Sequence, residues 1–259
     1  MIHDYEWFKK EVFRLSKIDL SAYKEQQMKR RIDSLVSKHN LSDYNHFIKE
    51  IQKDKSLYEE FVSFLTINVS EFYRNPEQWK VLDKQILPDL IKQYGNRIKI
   101  WSAACSTGDE PYTLVMMLAQ HIPLEQVKVF ATDLDKQVIA TAKNGIYSER
   151  SLTALPAEWK KKYFTVTGKT YTISEAVKKR VEFKEHNLLK DSYPAGCHLI
   201  VCRNVLIYFT EEAKNEVFAK FNKSLTKDGI LFIGSTEQMT NFQSMGYDRK
   251  NLFFYHKNV

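Results

Sequence analysis

At 259 residues the chain is long for one domain and comfortable for two unequal ones. Its 43% hydrophobic and 13% aromatic content belongs to a packed globular protein and excludes a disordered one. A net charge of +7 asks for an anionic partner, but the basic residues are interleaved with acids, which counts against a nucleic-acid stripe. No apolar run reaches the roughly 18 residues that span a bilayer, and the N-terminal MIHDYEWFKKEVF is charged and amphipathic, unlike a secretory signal. A cytoplasmic protein is expected. Cys105, Cys197 and Cys202 form no CxxC pair and read as reduced thiols; the histidines lack HxxxH or HExxH spacing, so no metal site is expected.

Residues 1 to about 75 contain neither glycine nor proline and carry helical periodicity. Helices are expected over Tyr5–Leu15, Tyr23–His39, Ser42–Ile51 and Leu57–Thr66. In the second, Met28, Ile32, Leu35, Val36 and His39 fall on one side, and Ser42 is placed to cap the third. These residues make an all-helical N-terminal domain, 1–75. From 76 to 259 short apolar runs alternate with helical stretches: Ile98–Ala103, Val127–Ala131, Val181–Glu185, Leu199–Cys202, Ile230–Ile233 and Leu252–Tyr255. The first two flank a helix over Glu110–His121, the pattern of a parallel βαβ unit covered on both faces. The last, after MGYDRKN, reads as a hairpin return at the sheet edge. Tyr163–Thr167 and Thr170–Ile173 around Gly168-Lys169 read as a small β-hairpin inserted at about 148–180. The expected class is α/β with a Rossmann-like sheet, the inserted β-hairpin subdomain and the all-helical N-terminal domain.

The segment KIWSAACSTGDEPYTLVMML runs strand, turn, helix, and in an open α/β sheet ligands bind at such a strand end beside the helix N-terminus. The second strand, VKVFATDLD, delivers Asp133 roughly 20 residues beyond the loop, where a carboxylate accepts the ribose hydroxyls of an adenosine. The loop is not GxGxxG, because Gly108 is its single glycine. Its helix opens on Asp109, Glu110 and Pro111, and two acids there repel a pyrophosphate but suit a cation. They serve equally as plain capping acids. S-adenosylmethionine, with an adenosine and a sulfonium but no phosphate, fits this loop better than NAD.

The strings NVSEFYRNPEQW (68–79), IWSAACSTGDEPY (100–112), ATDLD (131–135), NGIY (144–147), NLL (187–189), CRNVLIYF (202–209) and DGILFIGSTE (228–237) occur in this order. Together they resemble the bacterial chemotaxis-receptor methyltransferases, which are S-adenosylmethionine-dependent protein-glutamate O-methyltransferases with a class I methyltransferase sheet. The resemblance spans essentially the whole chain. Ser70 stands where the family usually has Thr, and Asp109 where Glu is common, so the hydroxyl and the charge are kept.

The resemblance implies that Asn68, Ser70 and Arg74 contact the cofactor and that Glu110 lies by its methionine or ribose part. It implies that Asp133 holds the ribose and that Asn187 and Leu188 flank the adenine. Cys202, Arg203 and Asn204 would line the floor after the fourth strand, with Tyr208 near the methyl group. Each has a plainer alternative: Asn187 a turn residue, Cys202 a core thiol, Tyr208 a half-buried aromatic, Arg74 an ion-pair partner of Glu71 or Glu77. The implied reaction converts receptor glutamates to methyl esters and leaves S-adenosylhomocysteine. A glutamate with a pKa of about 4.3 is already ionised at neutral pH, so no general base is required. Alignment of the carboxylate is the main task, with Arg74 and Tyr208 as the orienting groups. The implied partners are the helical cytoplasmic domains of membrane receptors, met by a monomer that does not insert in the membrane. Lys24, Lys29, Arg30, Arg31 and Lys38 on the second helix form the docking face to weigh against a merely solvated one. A nucleic-acid methyltransferase would need an aromatic base pocket, often Asn-Pro-Pro-Tyr, which RNVLIYF lacks. A non-catalytic cofactor-sensing module is the rival from outside enzymology, and the retained Arg74 and Tyr208 argue against it.

Overall fold

The computed structural model describes residues 4–258; the first three residues of the amphipathic N-terminal stretch and Val259 lie outside the described residues. Two compact units divide the chain: Met1–Asn68 with Leu206–Glu216, and Val69–Val205 with Val217–Val259. The first therefore closes at Asn68 rather than near 75, and it takes in a later segment whose apolar pattern gave no sign of it.

The helical unit contains α1 (Tyr5–Ser16), α2 (Glu25–Lys38), α3 (Tyr44–Lys53) and α4 (Lys55–Thr66). Aspartates start three of them. Asp4 accepts from the Trp7 N–H, Asp43 from that of His46, and Asp54 from those of Ser56 and Leu57. The cap of α3 is thus Asp43, not Ser42, whose hydroxyl contacts Asp43 itself. The helices bury Phe8, Ile32, Phe47 and Phe61, with Phe8–Phe47, Phe8–Phe61 and Phe47–Phe61 rings 6.2, 6.2 and 5.4 Å apart. Each such side chain contributes about 2 kcal/mol by leaving water. The later segment joins this unit through a Tyr23–Phe209 bridge and the Lys24 N–H, which donates to the Tyr208 carbonyl at 2.9 Å.

The second unit begins with α5 (Pro76–Val81), a π turn over Leu82–Ile86, and α6 (Leu87–Tyr94). There follow β1 (Ile100–Ala103), α7 (Asp109–Leu118), β2 (Val129–Asp133), α8 (Lys136–Asn144) and β3 (Ile146–Ser148). After these come α9 (Ala157–Tyr163), β4 (Phe164–Thr167), β5 (Thr170–Ile173), α10 (Glu175–Lys178), β6 (Val181–Glu185) and β7 (Cys197–Cys202). Then α11 (Glu211–Ser224), whose residues up to Glu216 belong to the helical unit, β8 (Leu225–Ile233), β9 (Tyr247–Asn251) and β10 (Phe254–Lys257) complete the chain. The main sheet has the order β6-β2-β1-β7-β8-β10-β9. The first five are parallel, and the last two form an antiparallel margin. This is a Rossmann-like α/β sheet. Every residue of β1 is buried, as a central parallel strand covered on both faces demands.

Two expectations are corrected here. The edge is not the run Leu252–Tyr255: YDRKN forms β9 at the sheet edge, and β10 lies inside it against β8. Charged residues suit an exposed edge and hide its strand character. The inserted hairpin β4–β5 gains a third strand, β3, from Ile146–Ser148, giving the order β3-β5-β4. No helix among the described residues is long and apolar enough to cross a membrane.

Candidate active site

The loop from β1 to α7 is held in an alternating left-handed path, with φ of +64° at Ala104, +49° at Ser106 and +91° at Gly108. Non-glycine residues in that region cost about 1–3 kcal/mol each and persist only where neighbours over-determine them. The Cys105 N–H donates to the Thr132 carbonyl at 2.8 Å, and the Ser106 N–H to Asp133 Oδ2 at 2.8 Å. The Tyr147 hydroxyl on β3 donates to the Thr107 carbonyl at 2.8 Å. At Gly108 a Cβ would stand 2.8 Å from that of Ala142, so this position admits glycine alone. The single glycine of the loop sits where α8 presses against it, and the remaining turns rely on hydrogen bonds.

Three carboxylates converge on this loop. Asp133, at the C-terminal end of β2, accepts from the N–H groups of Ser106 and, at 3.0 Å, Asp135; burial pushes its pKa up to about 6. Glu110 accepts from Ser102 Oγ at 2.8 Å and lies 3.8 Å from Arg203 Nη1. Burial lifts it to about 7, against the opposing pull of Arg203 and the Ser102 hydroxyl. Asp109 accepts from the Thr107 hydroxyl at 2.5 Å and from Ser70, and burial raises its pKa too. Thr113 ties the segment before α5 to this helix start: its hydroxyl donates to the Asp109 carbonyl at 2.6 Å and accepts from the Tyr73 N–H at 3.1 Å.

Asn187 and Leu188 follow β6, the strand beside β2. Asn187 Oδ1 accepts from the Leu189 N–H at 2.9 Å, so its side chain serves its own turn. Leu188 is buried, and its carbonyl accepts from the Tyr193 hydroxyl. Cys202 is fully buried in β7, its thiol pushed well up by that burial. The Arg203 guanidinium is held by partners within the α/β unit. Its Nη2 donates to the Arg74 carbonyl at 2.8 Å, Asn75 Oδ1 at 3.2 Å and Gln78 Oε1 at 2.8 Å, and the group lies over the Trp79 and Phe232 rings. Arg74 Nη1 donates to the Val69 carbonyl at 3.0 Å; the Glu77 carboxylate pairs with Lys80 instead. Ser70, Arg74, Glu110, Asp133, Arg203 and Asn204 all belong to the α/β unit, whereas Asn68 and Tyr208 belong to the helical one. Asn68 Nδ2 donates to Thr66 Oγ1 at 2.9 Å, and Tyr208 ends a single 3-10 turn.

Several basic residues of α2 have partners within the helical unit. Arg31 donates to the Phe64 carbonyl at 2.6 Å and stacks on that ring, Lys38 pairs with Glu60 at 2.6 Å, and Lys29 sits over Tyr5. Lys24 and Arg30 are exposed and have no ion-pair partner among the described residues.

Residues 68–250 match the family model for the CheR methyltransferase SAM-binding domain, and residues 3–66 that for the CheR methyltransferase all-alpha domain. The chain belongs to the CheR methyltransferase family. It is 42% identical over 254 residues to the chemotaxis protein methyltransferase of Listeria monocytogenes, covering 98% of this chain and 97% of that protein. The corresponding protein of Borreliella burgdorferi is 33% identical over 243 residues, covering 89% and 86%. Chemotaxis protein methyltransferase 1 of Pseudomonas aeruginosa is 33% identical over 250 residues, covering 92% and 91%. This chain is accordingly an S-adenosylmethionine-dependent methyltransferase.

The site fits that cofactor. Among the described residues, the buried atoms Ser106 Oγ, Asp109 Oδ1 and Arg203 Nε lack a hydrogen-bond partner, and an acceptor and a hydroxyl beside the loop suit a polar, cationic ligand. The buried acids Asp109, Glu110 and Asp133 supply the negative field a sulfonium needs and would repel a pyrophosphate. Sequence reading missed Glu237, a buried acid after β8 that accepts three backbone N–H groups. Its signal was available: GSTE directly after an apolar strand places an acid where the chain has barely left the core.

Proposed function

We propose that this chain transfers the methyl group of S-adenosylmethionine to glutamate side chains of chemotaxis-receptor cytoplasmic domains, forming glutamyl methyl esters. The observation that carries this reading is the extent of similarity to the Listeria monocytogenes chemotaxis protein methyltransferase. It runs through 98% of the chain, so the helical unit is shared as well as the cofactor domain. The cofactor supplies an electrophilic methyl group on a sulfonium. Asp133 takes the ribose hydroxyls, Glu110 faces the methionine or ribose part, and Asn187 and Leu188 border the adenine through backbone and apolar contacts. Asn68, Ser70 and Arg74 add contacts from the segment that joins the helical residues to α5, and Cys202, Arg203 and Asn204 form the floor. Arg203 does so by bracing Arg74 and Glu110 rather than by reaching the cofactor itself. Arg74 and the Tyr208 hydroxyl orient the acceptor and keep it ionised, since a carboxylate buried without such partners would take up a proton and lose its nucleophilicity. No residue is required as a base. The α2 face around Lys24 and Arg30 meets the acidic receptor helices, and the enzyme acts as a cytoplasmic monomer.

Incubation of the full chain with methyl-labelled cofactor and receptor cytoplasmic fragments tests this. The expected product is base-labile label on glutamate; stable label, or label on nucleic acid, overturns the reading.

A further inference from the structure

Glu237 is 2% exposed, and its carboxylate joins two neighbouring strand ends. Oε2 accepts from the Asn204 N–H at 2.7 Å and the Gly234 N–H at 2.9 Å, while Oε1 accepts from the Val205 N–H at 2.8 Å. Its own N–H donates back to the Gly234 carbonyl at 3.2 Å. Asn204 and Val205 follow β7, Gly234 follows β8, and these strands are paired in parallel with Cys202 opposite Ile233. Charge-assisted bonds of this kind are about twice as strong as neutral ones. They act on a turn that needs holding, because Asn204 has φ +62° without being a glycine.

Gly234 shows how closely the carboxylate is seated. A Cβ there would stand 2.3 Å from Oε2 and 3.1 Å from the Asn204 nitrogen. Glu237 also shares the electrostatic field of the site, since its charge raises both Glu110 and Arg203. Nothing in the pattern resembles a bond merely closing a surface loop: the acid is buried, triply bonded, and directed at the turn that carries Asn204.

We propose that Glu237 is a positioning residue of the methyl-transfer site, holding the Asn204–Val205 turn in the shape that receives the cofactor. This rests on the reading of Asn204 as part of the cofactor floor. Glu237→Gln keeps the side-chain shape but leaves one neutral carbonyl oxygen for three donors. Gly234→Ala reaches the same carboxylate from the opposite side. In the full chain each variant is expected to raise KM for S-adenosylmethionine and Kd for S-adenosylhomocysteine about tenfold. KM for the receptor fragment stays unchanged. Combined, the two cost little more than either alone, because both remove one clamp. A general loss of folding would instead lower activity with KM unaltered and would add across the pair.

Hydrogen exchange on the wild-type chain tests the clamp whether or not either variant folds: the Asn204 and Val205 amides are expected to be protected, and free exchange there overturns the proposal. Unchanged cofactor constants in both variants, or additive losses, also overturn it. Asp133→Ala, measured alongside, separates this inference from the reading beneath it. If Asp133→Ala abolishes S-adenosylhomocysteine binding while Glu237→Gln and Gly234→Ala leave it intact, the role of Glu237 fails and the site stands. If Asp133→Ala binds normally, the site reading fails, and the Glu237 role with it.

Discussion

The loop after β1 and the basic helix α2 are both rich in charge, and their charges do opposite things. In the loop the acids Asp109, Glu110 and Asp133 are withdrawn from water and bonded to Thr107, Ser102 and backbone N–H groups. On α2 the cations lie at the surface, and several are occupied by their own unit, as Lys38 is by Glu60 and Arg31 by the Phe64 carbonyl. Burying a charge without partners costs several kcal/mol, so a buried acid implies a purpose or a bond for every atom. A solvated lysine implies neither. A charge motif is therefore strong evidence where the chain buries it and weak where it does not.

The sharpest test of that contrast lies at the buried end. Asp133→Ala removes the acceptor from the Ser106 and Asp135 N–H groups as well as from the ribose. Cofactor binding and turnover are expected to fall by about a hundredfold or more while the protein stays folded, because hydrogen bonds to charged groups contribute about 1.5–3 kcal/mol each. Arg74→Ala is expected to reduce turnover comparably with a smaller loss of S-adenosylhomocysteine affinity. Titration calorimetry and single-turnover assays read both. Normal turnover in either variant would remove that residue from the site.

The buried acids also make stability depend on pH. Glu110 is raised from 4.5 to about 7, and Asp133 from 3.8 to about 6. A carboxyl group whose folded pKa is raised stabilises the fold while protonated, and that contribution is lost as pH climbs through the folded value. The cofactor-free chain is therefore expected to lose stability between about pH 4 and about pH 7, and Glu110→Gln to flatten the upper part of that fall. Glu110 accounts for about 3 kcal/mol at most. Cofactor affinity runs the other way, rising as the acids ionise to meet a cation. Thermal melts and binding isotherms across this range check both signs, and a flat wild-type profile would mean the acids are paired better than the geometry shows.

Most of the architecture was legible in the sequence because burial leaves a period. Continuous apolar runs marked β1, β2 and β7, and spacing of three to four residues marked the first helices. Elements that escaped carry no apolar signal. YDRKN is polar because it edges the sheet, and β3 has three residues, too few to show alternation. Within the candidate site, the acids of the loop were legible because they open a helix after a glycine-poor turn, a pattern that suits a cation better than a pyrophosphate. The commitment of Arg203 to Arg74, Asn75 and Gln78 was not, because those contacts join residues more than 120 positions apart. Glu237 follows an apolar strand, which hinted at burial, but two of its three donors, Asn204 and Val205, lie more than 30 positions away.

At the exposed end the effects shrink. Arg30 is exposed and has no ion-pair partner among the described residues, so on the proposed docking face Arg30→Glu would oppose an acidic receptor helix. It is expected to raise KM for the receptor fragment about tenfold, more at low salt than at high, with Kd for S-adenosylhomocysteine unchanged. Lys38→Ala breaks a pair with Glu60 and is expected to change that KM by about twofold or less. Equal effects from the two would show that the internal pair opens freely and that all five cations serve as one face.

The smallest expected effect separates two adjacent residues of the same unit. Asp43 accepts from the His46 N–H at 2.8 Å, and its pKa is lowered chiefly by that bond, so it is the group that begins α3. Ser42 makes only side-chain contacts, at 3.3 Å to Asp43 and 3.4 Å to His46. Asp43→Ala is expected to lower the midpoint of denaturant unfolding measurably, and Ser42→Ala to leave it nearly unchanged. The aspartate must be ionised to act fully, so the Asp43 effect should fade in acid while that of Ser42 stays flat. If the serine variant were the more costly, the cap would belong one residue earlier and α3 would start where periodicity alone put it.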